Sequence, residues 1–170
     1  YATWEKTAAE ELRSLFELNV FAVIELTRLC LPALRAARGS VVNVSSAAGR
    51  MPVACMGAYC ATKYAVNAFS DSLRLEVESQ GIHVLNLIVG RINTGFSSRS
   101  SGSRTVPDTP GGAPPDRLAR TAVNALRRRR REVVFPAWYR LAILIPKIAP
   151  RAYARANRRA WNLARQPETP

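Results

Sequence analysis

The stretch SVVNVSSAAGRMPVACMGAYCATKYAVNAFSDSLRLEVESQGIHVLNLIVG, residues 40–90, decides the fold class. Its first seven residues are rich in valine, which predicts a strand over 40–46. Residues 58–81 have helical spacing and end on Gly81, and a glycine after the last turn is typical of a helix end. Residues 82–90 are almost continuously apolar and predict a second strand. Two apolar strands joined by a helix favour a parallel sheet covered on both faces.

The segment before this stretch has the pattern of one long helix over residues 7–37. Thr7 is predicted to be the N-cap, because Glu10 follows it three residues later as in a capping box. Pro32 is expected to bend or interrupt the helix, since proline removes an intrahelical hydrogen bond. Gly39 is expected to end it.

The segments after residue 90 continue the alternation of helix and strand. A long loop rich in Ser, Gly and Pro separates them from the second strand, and such a loop is typically a lid or a binding loop. We predict, in order, a helix over 116–131, a short strand over 132–135, and one or two amphipathic helices over 138–166, broken near Pro146 and Pro150. The whole order predicts an α/β fold: a partial, Rossmann-like, doubly wound parallel sheet.

Composition sets the limits on class. The chain has 170 residues, of which 48% are hydrophobic, so a packed core is expected. Three cysteines and one histidine, His83, give no spacing for a metal site, and none is predicted. An odd number of cysteines favours a reducing compartment, so we expect the protein to be cytoplasmic. No apolar run reaches the length of a membrane span.

The positive charge is concentrated at one end. Residues 1–112 hold 11 Lys+Arg and 9 Asp+Glu, a net +2, whereas residues 113–170 hold 14 and 3, a net +11. We divide the chain into an α/β part, 1–136, and a basic amphipathic helical extension, 137–170.

A tyrosine and a lysine four residues apart, Tyr59 and Lys63, carry the first chemical signal. They lie one helical turn apart on the same face, where a cation favours the phenolate. An ordinary helix pair has the same spacing. Ligands bind beyond the carboxyl ends of strands in open α/β sheets. Ser46 and the 90–94 loop leave two such strand ends, so they are expected to converge with Tyr59 on one crevice.

Four blocks carry a family resemblance: ELNVFAV (17–23), VVNVSSAAG (41–49), AYCATKYAV (58–66) and VGRINT (89–94). In this order and spacing the chain resembles the short-chain dehydrogenase/reductase family over roughly residues 5–135. Ser46 lies thirteen positions before Tyr59, which is that family's spacing. The resemblance implies a hydride transfer between NAD or NADP and a carbonyl or alcohol substrate. It also implies self-association through the helices of residues 8–37 and 58–80.

The resemblance assigns four catalytic residues. Tyr59 would be the general acid in reduction and the base in oxidation, with its pKa lowered by Lys63 and the oxidised nicotinamide. Ser46 would hydrogen-bond the substrate oxygen. Asn19, in the middle of its helix, would order a water for proton relay. Lys63 would also hold the ribose hydroxyls of the cofactor.

The cofactor would be held by Tyr59 and Lys63 together with Gly90, Ile92 and Thr94 of the loop after the second strand. This chain departs from the family at two places. Val89-Gly90 stands where the family usually has Pro-Gly, and no glycine-rich cofactor turn is present. We therefore expect the sequence to be the C-terminal part of a longer enzyme that supplies the N-terminal strands.

Simpler interpretations remain beside these. Ser45 is expected to be a strand-end or cap residue rather than the catalytic serine. His83 is expected to be a core or edge histidine with satisfied hydrogen bonds rather than a ligand. The run of five arginines, 127–131, is expected to be a solvated helix end, with nucleic-acid contact as the less favoured alternative. The segment around Trp138, Leu141, Ile145 and Ile148 is expected to be a pocket lid or subunit contact, and a helix lying on an anionic membrane is the alternative.

Overall fold

A computed structural model describes residues 1–96, 102–103 and 111–163. The sheet has three parallel strands in the order β1 (Ser40–Ser46), β2 (His83–Val89) and β3 (Glu132–Phe135). Helix α3 (Gly57–Val77) connects the first two strands, and α4 (Pro115–Arg127) precedes the third. The predicted strands and connecting helices are thus confirmed, and Gly81 ends the α3 segment with a φ of 82°. The three-stranded parallel sheet is a partial Rossmann-like architecture.

The N-terminal helix is divided where the sequence predicted one continuous α-helix. Helix α1 (Ala9–Phe16) passes through a π-helical turn at Glu17–Phe21 into α2 (Ala22–Ala36). Pro32 lies inside α2 without ending it, so the prediction of an interruption there was wrong. Pro32 sits on an exposed face of a helix that continues to Ala36, and the departure from α geometry occurs at the π turn instead.

The predicted cap and end of this helix also need correction. Ala8, and not Thr7, is the N-cap, because the Thr7 hydroxyl donates backwards to the carbonyl oxygen of Thr3 at 2.9 Å. Beyond the C-terminus, Arg38 takes the left-handed conformation, with a φ of 46°. Gly39 follows it, and its amide donates to the carbonyl oxygen of Leu34 at 2.8 Å.

The two faces of the sheet have separate cores. On one face, residues of β1 and β2 pack with α3 and the end of α2: Val41, Leu73, Val77, Ile82 and Val84. On the other face, β2 and β3 pack against α4 through Leu85, Leu87, Val89, Ala125 and Val133. Strand β2 is therefore buried throughout, as expected. Strand β1 is covered on one face only, because Val42 and Val44 on the other are exposed.

The C-terminal region forms three short helices. They are α5 (Tyr139–Ala142), α6 (Ile145–Ile148) and α7 (Pro150–Ala160), whereas one or two helices were predicted. The breaks lie near Pro146 and Pro150 as predicted, since Ile143 and Leu144 separate the first two helices and Ala149 separates the last two. Helix α7 contacts the α/β part of the chain, because the Tyr153 hydroxyl donates to the carbonyl oxygen of Pro52. Over the described residues, no helix combines the length and apolar character that crossing a bilayer needs.

Candidate active site

Ser46 ends β1, and the alternating direction of side chains along the strand decides which of Ser45 and Ser46 can face Tyr59. Ser45 points into the core, is 2% exposed, and donates to the carbonyl oxygen of Lys63 at 3.3 Å. Ser46 points the other way, since successive side chains of a strand alternate in direction. Its hydroxyl oxygen accepts from the amide of Ala48 at 3.1 Å, and Ser46 lies close enough to the Tyr59 hydroxyl to lower the pKa of the phenol. The structure therefore brings Ser46, and not Ser45, onto Tyr59.

The turn after β1 is held by buried amides. The Asn67 side chain donates to the carbonyl oxygen of Gly49 at 2.7 Å, and the Asn86 side chain donates to the Asn67 oxygen at 2.9 Å. Asn67 and Asn86 are 3% and 0% exposed, so these bonds are shielded from water. Because Ala47–Gly49 is a single 3₁₀ turn directly after Ser46, this network fixes the place where Ser46 leaves the strand.

Tyr59 lies in the first turn of α3 and is half-buried. Burial raises the pKa of its phenol, and Ser46 acts in the opposite direction. The predicted lowering by Lys63 is not what the structure gives. The Lys63 ammonium lies 5.7 Å from the centre of the Tyr59 ring, and burial lowers the pKa of Lys63 itself. Loss of water around the phenol is therefore the largest influence on its pKa, and the lowering contribution comes from Ser46 and not from Lys63.

Lys63 turns towards the edge of the sheet. Its Nζ donates to the carbonyl oxygen of Val44 at 3.1 Å. It lines a groove of about 410 Å³ beside β1, together with Asn19, Val42 and Val44. Tyr59 instead lines a larger cavity of about 700 Å³. Tyr59 and Lys63 therefore line different cavities, and Ser46 and residues 90–94 line neither of them, so these two cavities do not form the single crevice that the sequence predicted.

Asn19 reaches the same helix from the π turn. Its side-chain amide donates to the Thr62 hydroxyl at 3.3 Å, and that hydroxyl donates to the carbonyl oxygen of Tyr59 at 2.8 Å. Thr62 is fully buried, so the link is shielded. A π turn widens one turn of helix and is frequent at functional sites. Asn19 is thus attached to the backbone of Tyr59 through one intervening residue.

The loop after β2 places Gly90, Ile92 and Thr94 differently from one another. A side chain on Gly90 would lie 2.1 Å from a ring carbon of Tyr139, so only glycine fits there. Ile92 pairs with Ala113 in an isolated parallel bridge. Thr94 is exposed, and its hydroxyl oxygen accepts from the amide of Phe96 at 3.4 Å. Their roles in cofactor binding stay predictions.

Sequence reasoning missed two aromatic residues at the site. The Phe96 ring lies 6.0 Å from the Tyr59 ring, so the loop after β2 reaches the candidate acid/base group through it. The Tyr139 hydroxyl accepts from the amide of Arg91 at 3.2 Å while its ring covers Gly90. The sequence signal that could have identified them is the presence of aromatic residues in and after the loop that follows the second strand. Residues 97–101 and 104–110 of the loop rich in Ser, Gly and Pro, which was expected to be a lid or a binding loop, lie outside the described residues.

The larger cavity has an apolar wall and an acidic rim. Leu15, Ala58, Tyr59 and Phe96 contribute apolar surface, and the carboxylates of Glu10 and Glu11 lie at its edge. His83 stands apart from it at the start of β2 and is buried, as predicted, but its Nε2 has no hydrogen-bond partner among the described residues, so the prediction of a satisfied histidine was wrong. Among the described residues, no three His, Cys, Asp or Glu side chains are grouped to hold a metal ion.

Comparison with known proteins gives consistent matches. The model of a family described as short chain dehydrogenase matches residues 2–104. Retinol dehydrogenase 7 of Mus musculus is 39% identical over 106 residues, which are 62% of this chain and 33% of that protein. The chain spans less than half the length of the curated relatives it matches.

Solved structures resemble the whole described fold. A short-chain dehydrogenase from Streptomyces avermitilis has a TM-score of 0.72 and 29% identity, covering 96% of this chain and 65% of the other. A short chain dehydrogenase from Burkholderia cenocepacia J2315, solved in complex with NADP, has a TM-score of 0.76 and 21% identity, covering 91% and 62%. At that lower identity the likeness concerns the fold alone.

Proposed function

Because the chain belongs to the short-chain dehydrogenase family, we propose that the protein is an NAD(P)-dependent oxidoreductase acting on a carbonyl or alcohol substrate. The observation that carries the proposal is the position of Ser46, at the carboxyl end of β1, beside Tyr59, close enough to lower the pKa of its phenol. Such a pair offers two hydroxyl groups to one substrate oxygen. A similar structure bound to NADP supports the cofactor class.

The donors beside β1 fit the nicotinamide-ribose part of such a cofactor. Lys63 has three N–H donors and gives one to Val44, which leaves two for ribose hydroxyls. The groove it lines is open along the exposed Val42 and Val44 side chains, which offer an apolar surface to a ring. When bound, the nicotinamide supplies or accepts the hydride. Gly90, Ile92 and Thr94 are proposed as further cofactor contacts on the strength of the resemblance.

Tyr59 is proposed as the proton donor and acceptor. A phenol whose pKa is raised by burial stays protonated at neutral pH, which suits proton donation to an oxygen that gains negative charge during reduction. Ser46 would donate a hydrogen bond to the same oxygen and keep its proton. In the oxidation direction the phenolate is needed, and the presence of Ser46 favours it. The two hydroxyls would thus hold one substrate oxygen and move one proton.

Asn19 is proposed as a positioning residue as well as a proton-relay residue. Its amide fixes Thr62, which in turn bonds the carbonyl oxygen of Tyr59. The second amide N–H of Asn19 and its oxygen remain for a water in the groove.

The expected self-association would use exposed apolar side chains of the π turn and α2, since Phe21 and Leu29 are 53% and 63% exposed.

A second candidate function is binding through the basic C-terminal region without catalysis. The arginine run contributes less to it than its composition suggests, because Arg131 pairs with Glu78 at 2.8 Å and Arg129 bonds the carbonyl oxygen of Gly81. These contacts favour a structural helix end there. Exposed cations without acidic partners lie instead in α5 to α7.

Replacement of Tyr59 tests the enzyme proposal. Tyr59→Phe in the whole protein removes the transferable proton and keeps the ring that contacts Phe96. We expect kcat to fall by a factor of at least about 100, the lower range for loss of a general acid/base. Tyr64→Phe is the matched control, because Tyr64 is exposed on the same helix.

The turnover assay uses NADH and NADPH with short carbonyl substrates, and circular dichroism checks that the fold is kept. Near-normal turnover of Tyr59→Phe would remove Tyr59 from the proposed role. Equal losses of kcat in Tyr59→Phe and Tyr64→Phe would show that the loss reflects reduced stability of the protein and not a catalytic role of Tyr59.

A further inference from the structure

The segment that follows β3 exposes a row of large apolar side chains. Trp138, Leu141 and Ile148 are 60%, 73% and 78% exposed, and Leu144 and Ile145 are 41% and 46% exposed. Leucine, isoleucine and tryptophan in such positions leave apolar surface in water, and a contiguous patch of this kind typically marks an interaction site.

The five side chains form one stripe. The backbone stays in the right-handed helical region from Trp138 to Ile148, through the turn at Ile143 and Leu144 that separates α5 from α6, with hydrogen bonds such as Ala142 to Trp138 and Ala149 to Ile145. Spacings of three and four residues along a helix place side chains on the same face. Trp138, Leu141, Ile145 and Ile148 follow this spacing, and Leu144 lies beside Leu141 and Ile145. We call these five residues the apolar stripe.

The opposite side of this segment is anchored to the protein. Tyr139 covers Gly90 and accepts a hydrogen bond from the amide of Arg91. In α7, the Asn157 side chain accepts from the amide of Ala54 at 2.9 Å. The segment therefore cannot roll its stripe inwards without breaking these contacts. The stripe faces outwards in the folded molecule.

Positive charge surrounds the stripe, and no acidic residue offsets it. Between Glu132 and Glu168 the sequence has no Asp or Glu. Six exposed cations lie on the described helices of this region: Arg140, Lys147, Arg151, Arg155, Arg158 and Arg159. Salt bridges in the described part of the chain involve other residues. These side chains are thus available to anions outside the molecule.

We propose that the apolar stripe docks on the surface of an anionic lipid bilayer, with the stripe in the headgroup and acyl boundary and the flanking cations on lipid phosphates and carboxylates. Apolar residues with tryptophan on one face and lysine or arginine around it are the composition of helices that lie in the membrane interface. Long basic side chains reach the headgroups while their stems stay in apolar surroundings.

Charge distinguishes this occupant from the alternatives. A second copy of the chain on the same face would bring two sets of unpaired cations together, and like charges repel. Nucleic acid would engage the cations but would leave the leucine and isoleucine side chains of the stripe in water. An anionic bilayer satisfies both features at once, because it offers negative headgroups above an apolar layer.

Vesicle co-sedimentation tests the proposal without any enzyme assay, so its outcome is independent of the proposed function. The protein is mixed with vesicles of phosphatidylcholine alone or with about one third phosphatidylserine. We expect binding to the vesicles that contain phosphatidylserine and a marked loss in high salt. Emission of Trp138 is expected to shift to the blue and to be quenched by brominated acyl chains, and Trp138→Phe removes this signal.

Matched variants separate the apolar and the charged contributions. Leu141→Ser with Ile148→Ser is expected to lower the partition coefficient about tenfold or more, because two apolar side chains no longer enter the interface. Leu75→Ser is the control, since Leu75 is 83% exposed on α3, away from the stripe. Lys147→Gln is expected to weaken binding to anionic vesicles about fivefold. Arg117→Gln on α4 is the charge control.

Several results would overturn the proposal. Absence of vesicle binding at low salt would do so, as would binding that Leu141→Ser with Ile148→Ser leaves unchanged. Binding of a short DNA duplex in place of vesicles would assign the cations to nucleic acid. Reversible dimerisation that Leu141→Ser abolishes, without vesicle binding, would assign the stripe to a second copy.

Discussion

Removal of the Asn67 side chain tests how the buried amides hold the turn after Ser46. Asn67→Ala leaves two buried groups without partners: the side-chain N–H of Asn86 and the carbonyl oxygen of Gly49. An unsatisfied buried polar group costs roughly 1–3 kcal/mol. We therefore expect the free energy of unfolding to fall by about 4 kcal/mol, a large share of the ~5–15 kcal/mol of a typical domain.

Asn86→Ala is predicted to cost less. The Asn86 side-chain oxygen is buried without a hydrogen-bond partner among the described residues. Its removal offsets the loss that Asn67 suffers when its own oxygen is left without a donor. In the Asn86→Ala background, Asn67→Ala orphans the carbonyl oxygen of Gly49 but also removes the Asn67 oxygen that had lost its donor. At about 2 kcal/mol for each orphaned group, the two substitutions should therefore be non-additive by about 4 kcal/mol.

Urea unfolding followed by circular dichroism measures all three variants, and a common m-value is needed for the comparison. Asn124→Ala, on the exposed surface of α4, is the control and should change stability by less than about 0.5 kcal/mol. Additivity of the two core substitutions within about 0.5 kcal/mol would refute the reasoning. So would an Asn67→Ala variant as stable as the control.

Two further predictions concern His83 and Lys63. Burial, and then the charge of Arg129, lower the pKa of His83 below its ordinary 6.5. The contribution of neutral His83 to stability is therefore present above about pH 6.5 and is lost as the pH falls through its folded-state pKa. His83→Gln should flatten this part of a plot of unfolding free energy against pH. An unchanged slope would exclude His83 as the source of the pH dependence. Lys63→Met in the whole protein should weaken NADH or NADPH binding between about tenfold and a hundredfold, because charged hydrogen bonds to the ribose are lost. Fluorescence titration measures it beside the exposed control Lys6→Met, and equal affinities in the two variants would count against the ribose contact.

The sheet could be predicted from the sequence because its strands carry strong local signals. Ser40–Ser46 and His83–Val89 are bounded by glycine on at least one side and rich in β-branched or aliphatic residues. Ser46 and Tyr59 were identified through the family resemblance, because their spacing of thirteen residues is that of the family. These features depend on residues near one another in the chain, so local patterns describe them well.

Other features depend on contacts that no local pattern contains. The π turn at Glu17–Phe21 places Asn19 on Thr62, which lies more than forty residues away in the sequence. Glycine is required at position 90 because the ring of Tyr139, from the C-terminal region, packs directly against it. The direction of the pKa change at Tyr59 depends on its burial. Desolvation is a property of the packed molecule, and the spacing of Tyr59 and Lys63 carries no information on it.

The pH dependence of alcohol oxidation by the whole protein tests the role of Tyr59 most directly. If the phenolate is the base, kcat/KM rises with pH towards the pKa of Tyr59. Ser46→Ala should move this rise to higher pH, because Ser46 lowers that pKa. Tyr59→Phe should lose the rise together with most of the activity. A Tyr59→Phe variant that keeps the same rise at the same pH would contradict the assignment.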